Sequence, residues 1–313
     1  MTGVTTTSTY GAMSDNWAHR ELLKRAKPRF NYNNFGQVRF LPEKETDRIK
    51  FRRQENLDST PAVLTEGVTP AYAKVDEFDV ELQLQQYGKV VALSDKVLMI
   101  VEDDTALGTA DNLNQCMWGM LDKVTRDTID ATASQIDCTN GVNGNAVTEL
   151  TETDVELALD YMWANNAEKM TPVIEGVSRF GTAPIDESYW SLSHTDMRKD
   201  IKALASFVPT SAYPGQQAVL QAEFGATDEL RWVLSTQGKK DASSPSIYSN
   251  HIIAADAYGH SGIDEVATEM IIKELGAGDD ALNQRQTMGF KAFFGAVILN
   301  DAWVVNLRST KSA

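Results

Sequence analysis

Only a few side chains in this sequence have types and spacing that could do chemistry. His194 stands two residues before Asp196, the separation a general base and its orienting carboxylate could use. No Ser or Cys completes the set, because the chain has no G-x-S-x-G elbow. The expectation is a strand end running into a helix cap, with a hydrolase built on His194 and Asp196 as the lesser alternative. His251 and His260, with Asp256 between them, could be drawn as a metal site. Their spacing fits neither a helical i, i+4 pair nor a zinc finger, so they are expected to be polar residues of a surface loop. The stretch DCTNGVNGN at 137–145 has the outline of a calcium loop. It lacks acids at its third and fifth places, and Glu149 falls one position late for the closing ligand. Gly88-Lys89 and Gly238-Lys239 are not followed by Ser or Thr, which excludes a phosphate loop. GAGDD at 276–280 reads as a turn. Cys116 and Cys138 match neither a metal knuckle nor a redox pair. On one helix they would stand ~33 Å apart, beyond disulfide reach, and a reducing compartment is expected. No catalytic residue, cofactor or metal is assigned.

The elements that carry these residues are more informative. The chain has 313 residues, 42% of them apolar, enough for one large domain or two ordinary ones. Its formal charge is −15, which argues against phosphate neutralisation as its main task. The charge is uneven: residues 1–60 hold 11 Lys/Arg against 7 Asp/Glu, a net +4, and the remainder carries −19. Such asymmetry suggests an interaction arm whose complementary surface is another copy of the chain. The N-terminus has no signal pattern. The longest uncharged apolar run near the end, 292–300, is well short of the roughly 20 residues a membrane span needs, so a soluble cytoplasmic product is expected.

Residues 1–15 are Thr/Ser-rich, and 16–27 fit a short amphipathic helix stopped by Pro28. Residues 78–86 alternate strictly, with Phe78, Val80, Leu82 and Leu84 on one face. RIKFRR at 48–53 alternates as well and contains the densest run of cations. Together they predict two legs of a long hairpin with an irregular tip near 55–70. Each leg would reach roughly 60 Å if about 18 residues were extended. A hairpin alone is marginal in water, so Phe51, Val63, Leu64 and Phe78 need a surface. Residues 103–137 lack Pro and keep a 3–4 apolar spacing, which predicts one helix of roughly 50 Å. A second helix opens at Thr151-Glu152-Thr153-Asp154 and runs to 163. Further readings are strand-like pieces in 171–194, a short helix at 196–207, a strand at 229–235 and a polar loop at 237–250. Residues 264–275 suit either a helix or a strand. Two final apolar runs break like a hairpin at Asn300-Asp301. Trp118, Trp163, Trp190, Trp232 and Trp303 sit in apolar patterns and are expected in the core.

The order of parts, with LTEGVTP at 64–70, LQLQQYGKVVALSD at 82–95, SLSHTDMRKDI at 191–201 and GFKAFFGAVILN at 289–300, resembles the major capsid proteins of tailed double-stranded DNA bacteriophages. It looks most similar to the N-four-like podovirus type. The resemblance implies an α+β chain of the Hong Kong ninety-seven fold, not an enzyme. It implies an N-terminal arm at 1–32 and an extended loop at 33–86. A peripheral domain would take 87–150 and 281–313, with the spine helix 103–137, and an axial domain would take 151–280. It also implies pentamers and hexamers in an icosahedral virion shell, assembled in the host cytoplasm with a separate scaffolding protein, a portal and a possible decoration protein. That shell encloses DNA without sequence-specific binding and without a membrane. An encapsulin-like nanocompartment shell is the alternative on the same fold. Arg48, Lys50, Phe51, Arg52, Arg53, Glu66 and Phe78 are then expected to contact the neighbouring subunit, the cations docking on acidic patches of its body.

Overall fold

A computed structural model of the chain describes residues 4–5, 30–42, 46–61, 63–64, 66–67, 69, 72–100, 105–171, 186–213, 220, 222–243, 245–263, 268–276 and 282–312. The short helix expected at 16–27 lies outside them. In chain order the elements begin with β1 (Val4–Thr5), β2 (Gln37–Leu41), β3 (Arg48–Gln54), β4 (Glu77–Gln83), β5 (Gln85–Ser94), α1 (Asp95–Ile100) and α2 (Thr105–Asp130). There follow β6 (Gln135–Asp137), α3 (Glu152–Ala164), β7 (Tyr189–His194), α4 (Arg198–Ala203), β8 (Phe207–Pro209), β9 (Glu223–Thr227) and β10 (Leu230–Ser235). The chain closes with β11 (Ile247–Ile253), β12 (Tyr258–Ile263), β13 (Thr268–Lys273), β14 (Arg285–Ile298) and β15 (Val304–Thr310).

Two sheets organise these pieces. The first runs β1-β5-β14-β12-β2, with β13 also on β14; the second runs β6-β15-β11-β7-β10-β9-β8. The fourteen residues of β14 serve as the first sheet's backbone. One edge of β14 pairs with β5, and the other is shared between β13 at 287–292 and β12 at 294–298. The second sheet is buried on both faces. One face packs Tyr189, Trp232 and Leu307 against Val155, Leu159 and Met162 of α3. The other packs Trp190, Leu192 and Val233 with Tyr32, Ile129 and Tyr258.

The long helix α2 connects the two sheets. Leu113 and Met117 pack on Met288 and Phe290 of the first sheet, while Ile129 near its C-terminal end belongs to the core of the second. It is shorter than its apolar spacing predicts: it stops at Asp130, giving a rod of ~39 Å. The spacing continues, but strand β15 captures the residues beyond Asp130. Asn306 N–H donates to Ser134 O, Cys138 N–H to Arg308 O, and residues 135–137 become β6, parallel to β15. The hydroxyls of Thr132 and Ser134 assist by bonding Val304 O and Asp301 O, competing with the helical ladder. Cys138 therefore lies beyond the helix, and both cysteines are free thiols.

The second helix forms as its sequence predicts. Thr151 and Asp154 make a capping box. Residues 264–275 resolve toward strand, since β13 occupies Thr268–Lys273. The polar loop expected at 237–250 is cut short by β11. The final apolar runs form strands but not a hairpin. At Asn300 the chain passes from the first sheet to the second, so β14 and β15 pair with different partners. A division at 150 and 281 therefore does not follow the sheets: β12 and β13 join the first sheet, and β15 joins the second.

A buried polar chain ties the start of the described body to the end of α2. The backbone N–H groups of Asn31, Tyr32 and Asn33 turn toward the Asp122 carboxylate, with Tyr32 N–H at 2.8 Å. Tyr32 hydroxyl meets His251 Nδ1 at 3.2 Å, and His251 Nε2 meets Asp130 Oδ1 at 3.1 Å. Asn306 Nδ2 donates to the same Asp130 oxygen at 3.0 Å, and Lys239 Nζ stands 3.4 Å from the other. Burial lowers the His251 pKa, which keeps the ring neutral. Nε2–H then donates to Asp130, and Nδ1 accepts from Tyr32. Tyr258 hydroxyl closes the group on Tyr32 O.

Burial also pushes the Asp122 carboxyl up to about 6, against the pull of those backbone donors. A carboxyl raised in the folded state favours the fold while it is protonated, and that contribution is lost as pH rises through the folded value. Asp122→Asn should therefore gain stability relative to the unaltered chain between pH 4 and pH 7, by about 2–3 kcal/mol. Denaturant unfolding of both proteins across that range measures the difference, and a flat difference contradicts the assignment.

Candidate functional site

The potentially reactive side chains are accounted for by structure. His194 ends β7, and its Nδ1 accepts from Asp196 N–H at 3.0 Å, capping the short helical turn that follows. Asp196 also accepts from Tyr248 hydroxyl and Lys240 Nζ. This is the strand end and helix cap expected from the sequence. His251 and His260 differ from expectation: both are buried strand residues rather than loop residues. Among the described residues no His, Cys, Asp and Glu cluster could hold a metal, and no helix is long and apolar enough to cross a membrane. The loop at 137–145 is a turn, with Asn140 and Gly141 at positive φ and Gly141 N–H donating to Asp154. Two tryptophans expected in the core are at the surface: Trp118 on α2, and Trp163, whose indole N–H donates to Glu229 under the Lys169 ammonium.

The hairpin of β3 and β4 is the feature without an explanation inside one chain. The four central rungs of its seven-residue ladder, from 49 to 52, alternate between two kinds. Ile49–Leu82 and Phe51–Val80 are apolar, whereas Lys50–Glu81 and Arg52–Asp79 are charged. Lys50 Nζ lies 2.8 Å from Glu81, Arg52 Nε 2.8 Å from Asp79, Arg52 Nη1 3.1 Å from Glu77, and Arg48 3.9 Å from Glu81. Arg53 lies over the Phe78 ring at 5.1 Å. The hydrogen bond from Arg52 holds Asp79 below the usual carboxylate range, and Lys50 does the same for Glu81. The run of cations at 48–53 is thus matched by the returning strand. Residues 47–83 carry five Lys/Arg against eight Asp/Glu. Most of the net positive charge counted over 1–60 belongs to residues before the hairpin: residues 1–46 hold seven Lys/Arg against four Asp/Glu. Within one chain, the cations expected to dock on a neighbour's acids face the acids of the returning strand.

Burial divides the hairpin along its length. At the base, Phe51, Leu82 and Leu84 are buried with Leu41 against Val297 and Leu299 of the same chain. Two glycines permit this seat. A Cβ at Gly259 would lie 3.1 Å from the Phe51 ring, and one at Gly295 would lie 2.9 Å from Leu82 Cδ1. Phe51, one of the residues expected at a subunit contact, is buried at this seat within its own chain. Past this base the side chains are uncovered: Phe78 is 45% exposed, Leu57 53%, Leu64 69%, Tyr72 95% and Val63 98%. Residues 55–76 form no strand among those described, so the paired ladder spans only ~23 Å per leg, well short of the fully extended estimate. Glu66 sits at the outermost turn beside Gly67, whose φ of 76° suits glycine. Between hairpin and body runs a groove of about 750 Å³ bounded by Arg39, Arg53, Glu168, Asp256 and Trp303.

No family model matches this chain, and no curated protein does. Solved structures do match across nearly the whole length. The capsid of the cyanophage P-SCSP1u is 14% identical, with a TM-score of 0.66, covering 98% of this chain and 96% of that one. The head structure of Helicobacter pylori bacteriophage KHP40 is 12% identical, with a TM-score of 0.69, covering 96% and 98%. The SrpI encapsulin complex from Synechococcus elongatus is 9% identical, with a TM-score of 0.60, covering 96% and 93%. The α+β architecture of this chain, from its hairpin arm through the long helix to the final strand, is the Hong Kong ninety-seven capsid fold.

Proposed function

We propose that this chain is the major capsid protein of a tailed bacteriophage, a structural subunit and not an enzyme, which assembles into the icosahedral shell around the double-stranded DNA genome. The observation that carries the reading is the arm: its base is seated on the body, while its outer apolar side chains are left in water. Exposed apolar surface of this kind marks an interaction site. In a closed shell every subunit offers the same arm to a neighbour, and heterologous contacts of this type close around symmetry axes. Each covered Å² of apolar tip contributes about 25 cal/mol, repeated over every subunit.

The arm's cations work mainly inside the hairpin, keeping the two legs in register. Contact with the neighbour falls to Phe78, Arg53, Glu66 and the tip residues Leu57, Val63, Leu64 and Tyr72. The first sheet with α2 serves as the peripheral domain, and the second sheet with α3 and α4 as the axial domain that meets its copies in pentamers and hexamers. The net charge of −15 leaves the enclosed DNA unbound by sequence, since a strongly basic wall would hold phosphates tightly. A separate scaffolding protein, a portal and a decoration protein are the partners this reading adds. Assembly takes place in the host cytoplasm before the subunit enters the virion. On the four sequence stretches alone we assign it to the N-four-like podovirus type. The match to an encapsulin favours a second reading, a cellular nanocompartment with an enzyme as cargo, which a co-purifying cargo protein in place of DNA would establish.

Electron micrographs of the purified chain, alone or with its scaffold, should show closed shells; a protein that stays monomeric at high concentration overturns the reading. Val63→Asp combined with Tyr72→Asp should leave the subunit folded by circular dichroism yet abolish shells, whereas assembly at the normal level would show that the tip does not dock. Limited proteolysis should cut the free subunit first within 55–76 and spare that segment in the shell.

A further inference from the structure

A second uncovered feature lies on the opposite edge of the first sheet from β5. Strand β13 pairs with β14 on one side only; among the described residues nothing pairs with its outer edge. Five of its six residues are exposed, including Met270, Ile271 and Ile272 in succession. An edge of this length with an apolar centre templates pairing with another strand. The other sheet's terminal strands, β6 and β8, have three residues each, and β8 ends in Pro209, so neither offers a comparable edge.

The sequence Thr268-Glu269-Met270-Ile271-Ile272-Lys273 is complementary to itself when read antiparallel. Centred on Ile271, the register places Glu269 opposite the second copy's Lys273 at both ends, Met270 opposite Ile272, and Ile271 opposite itself. Centred between Met270 and Ile271, it would oppose Glu269 to Ile272 and Thr268 to Lys273, leaving both charges unmatched. Opposite charges directly across a strand pair favour one register over its neighbours. Glu269 is already oriented for this, since Lys291 of β14 holds it at 2.8 Å. The second copy's Lys273 would extend that rung to Lys291–Glu269–Lys273. In this chain Lys273 pairs with no acid among the described residues. On the other face, Met270 and Ile272 stand opposite Phe290 and Met288, so the added strand would continue the apolar surface beside α2.

We infer that β13 is an isologous interface: two copies of this chain join edge to edge through antiparallel β13 strands, with a two-fold axis at Ile271. The inference rests on the shell reading for bringing copies together, and it adds a contact independent of the arm.

Cross-linking through one introduced cysteine in the full chain tests it, on both assembled particles and concentrated soluble protein. The unaltered chain, with its own Cys116 and Cys138, is the blank. Across the axis the two Cα atoms at position 271 would stand about 4.5–5.5 Å apart, within disulfide reach. Ile271→Cys should give disulfide dimers several-fold above the blank under mild oxidation. Thr268→Cys should not, because that register separates the two 268 positions by ~20 Å along the strands. Adding Lys273→Glu to Ile271→Cys should suppress the dimer several-fold, and Lys273→Arg should retain it. Equal cross-linking at 268 and 271, or none at either, overturns the inference whether or not shells form. Absence of shells from the unaltered chain overturns the shell reading instead, and cross-linking of the soluble protein still decides the interface.

Discussion

The body depends on one buried polar line, from Asp122 through Tyr32 and His251 to Asp130. It gathers the entering chain, the C-terminal half of the long helix and strands of both sheets at a single place. Such a line is stable only while each member keeps its partner, because an unpaired polar group in an apolar interior costs several kcal/mol. The arrangement makes geometry specific. Tyr32 offers backbone N–H, backbone carbonyl and hydroxyl to three different elements, so the chain entering the body has one orientation relative to the helix. The arm begins at Arg48, after β2 has carried the chain from that fixed start along the first sheet.

The protein is finished internally at this centre and unfinished at its margins. Trp232 and Tyr258, with the core residues around them, are buried within the chain. The hairpin tip and the β13 edge keep apolar side chains exposed. A chain divided in this way can close its core within one copy, because the apolar groups of the hairpin tip and the β13 edge lie outside it. The hairpin's charged rungs add to its backbone ladder where few apolar contacts hold the legs together.

Much of this arrangement was legible in the residues. Strict alternation at Phe78, Val80, Leu82 and Leu84 located the returning leg, and Thr151 with Asp154 marked a helix start, since both signals are local. The end of α2 was not legible. Its apolar spacing continues past Asp130, and the strand that overrides it lies some 170 residues away in sequence. The chain's passage between sheets at Asn300 was hidden for a related reason: two apolar runs around a turn look the same whether they pair with each other or with different strands. For the candidate site, the cations at 48–53 stood out, but their neutralisation did not. Cross-strand pairing depends on register, which fixes that Lys50 faces Glu81 and Arg52 faces Asp79. Phe51 and Phe78 had the same local signal, and the seat that covers Phe51, made by Gly259, Val297 and Leu299, lies far away in sequence.

The rungs joining Lys50 to Glu81 and Arg52 to Asp79 also constrain how this arm can change over time. A reversal of sign at one position leaves two like charges facing each other until its opposite member reverses too. Lineages should therefore drift at these positions in compensated doublets, each rung conserving neutrality while its chemistry changes. The exposed tip, with no strand paired across it among the described residues, carries no such reciprocal constraint.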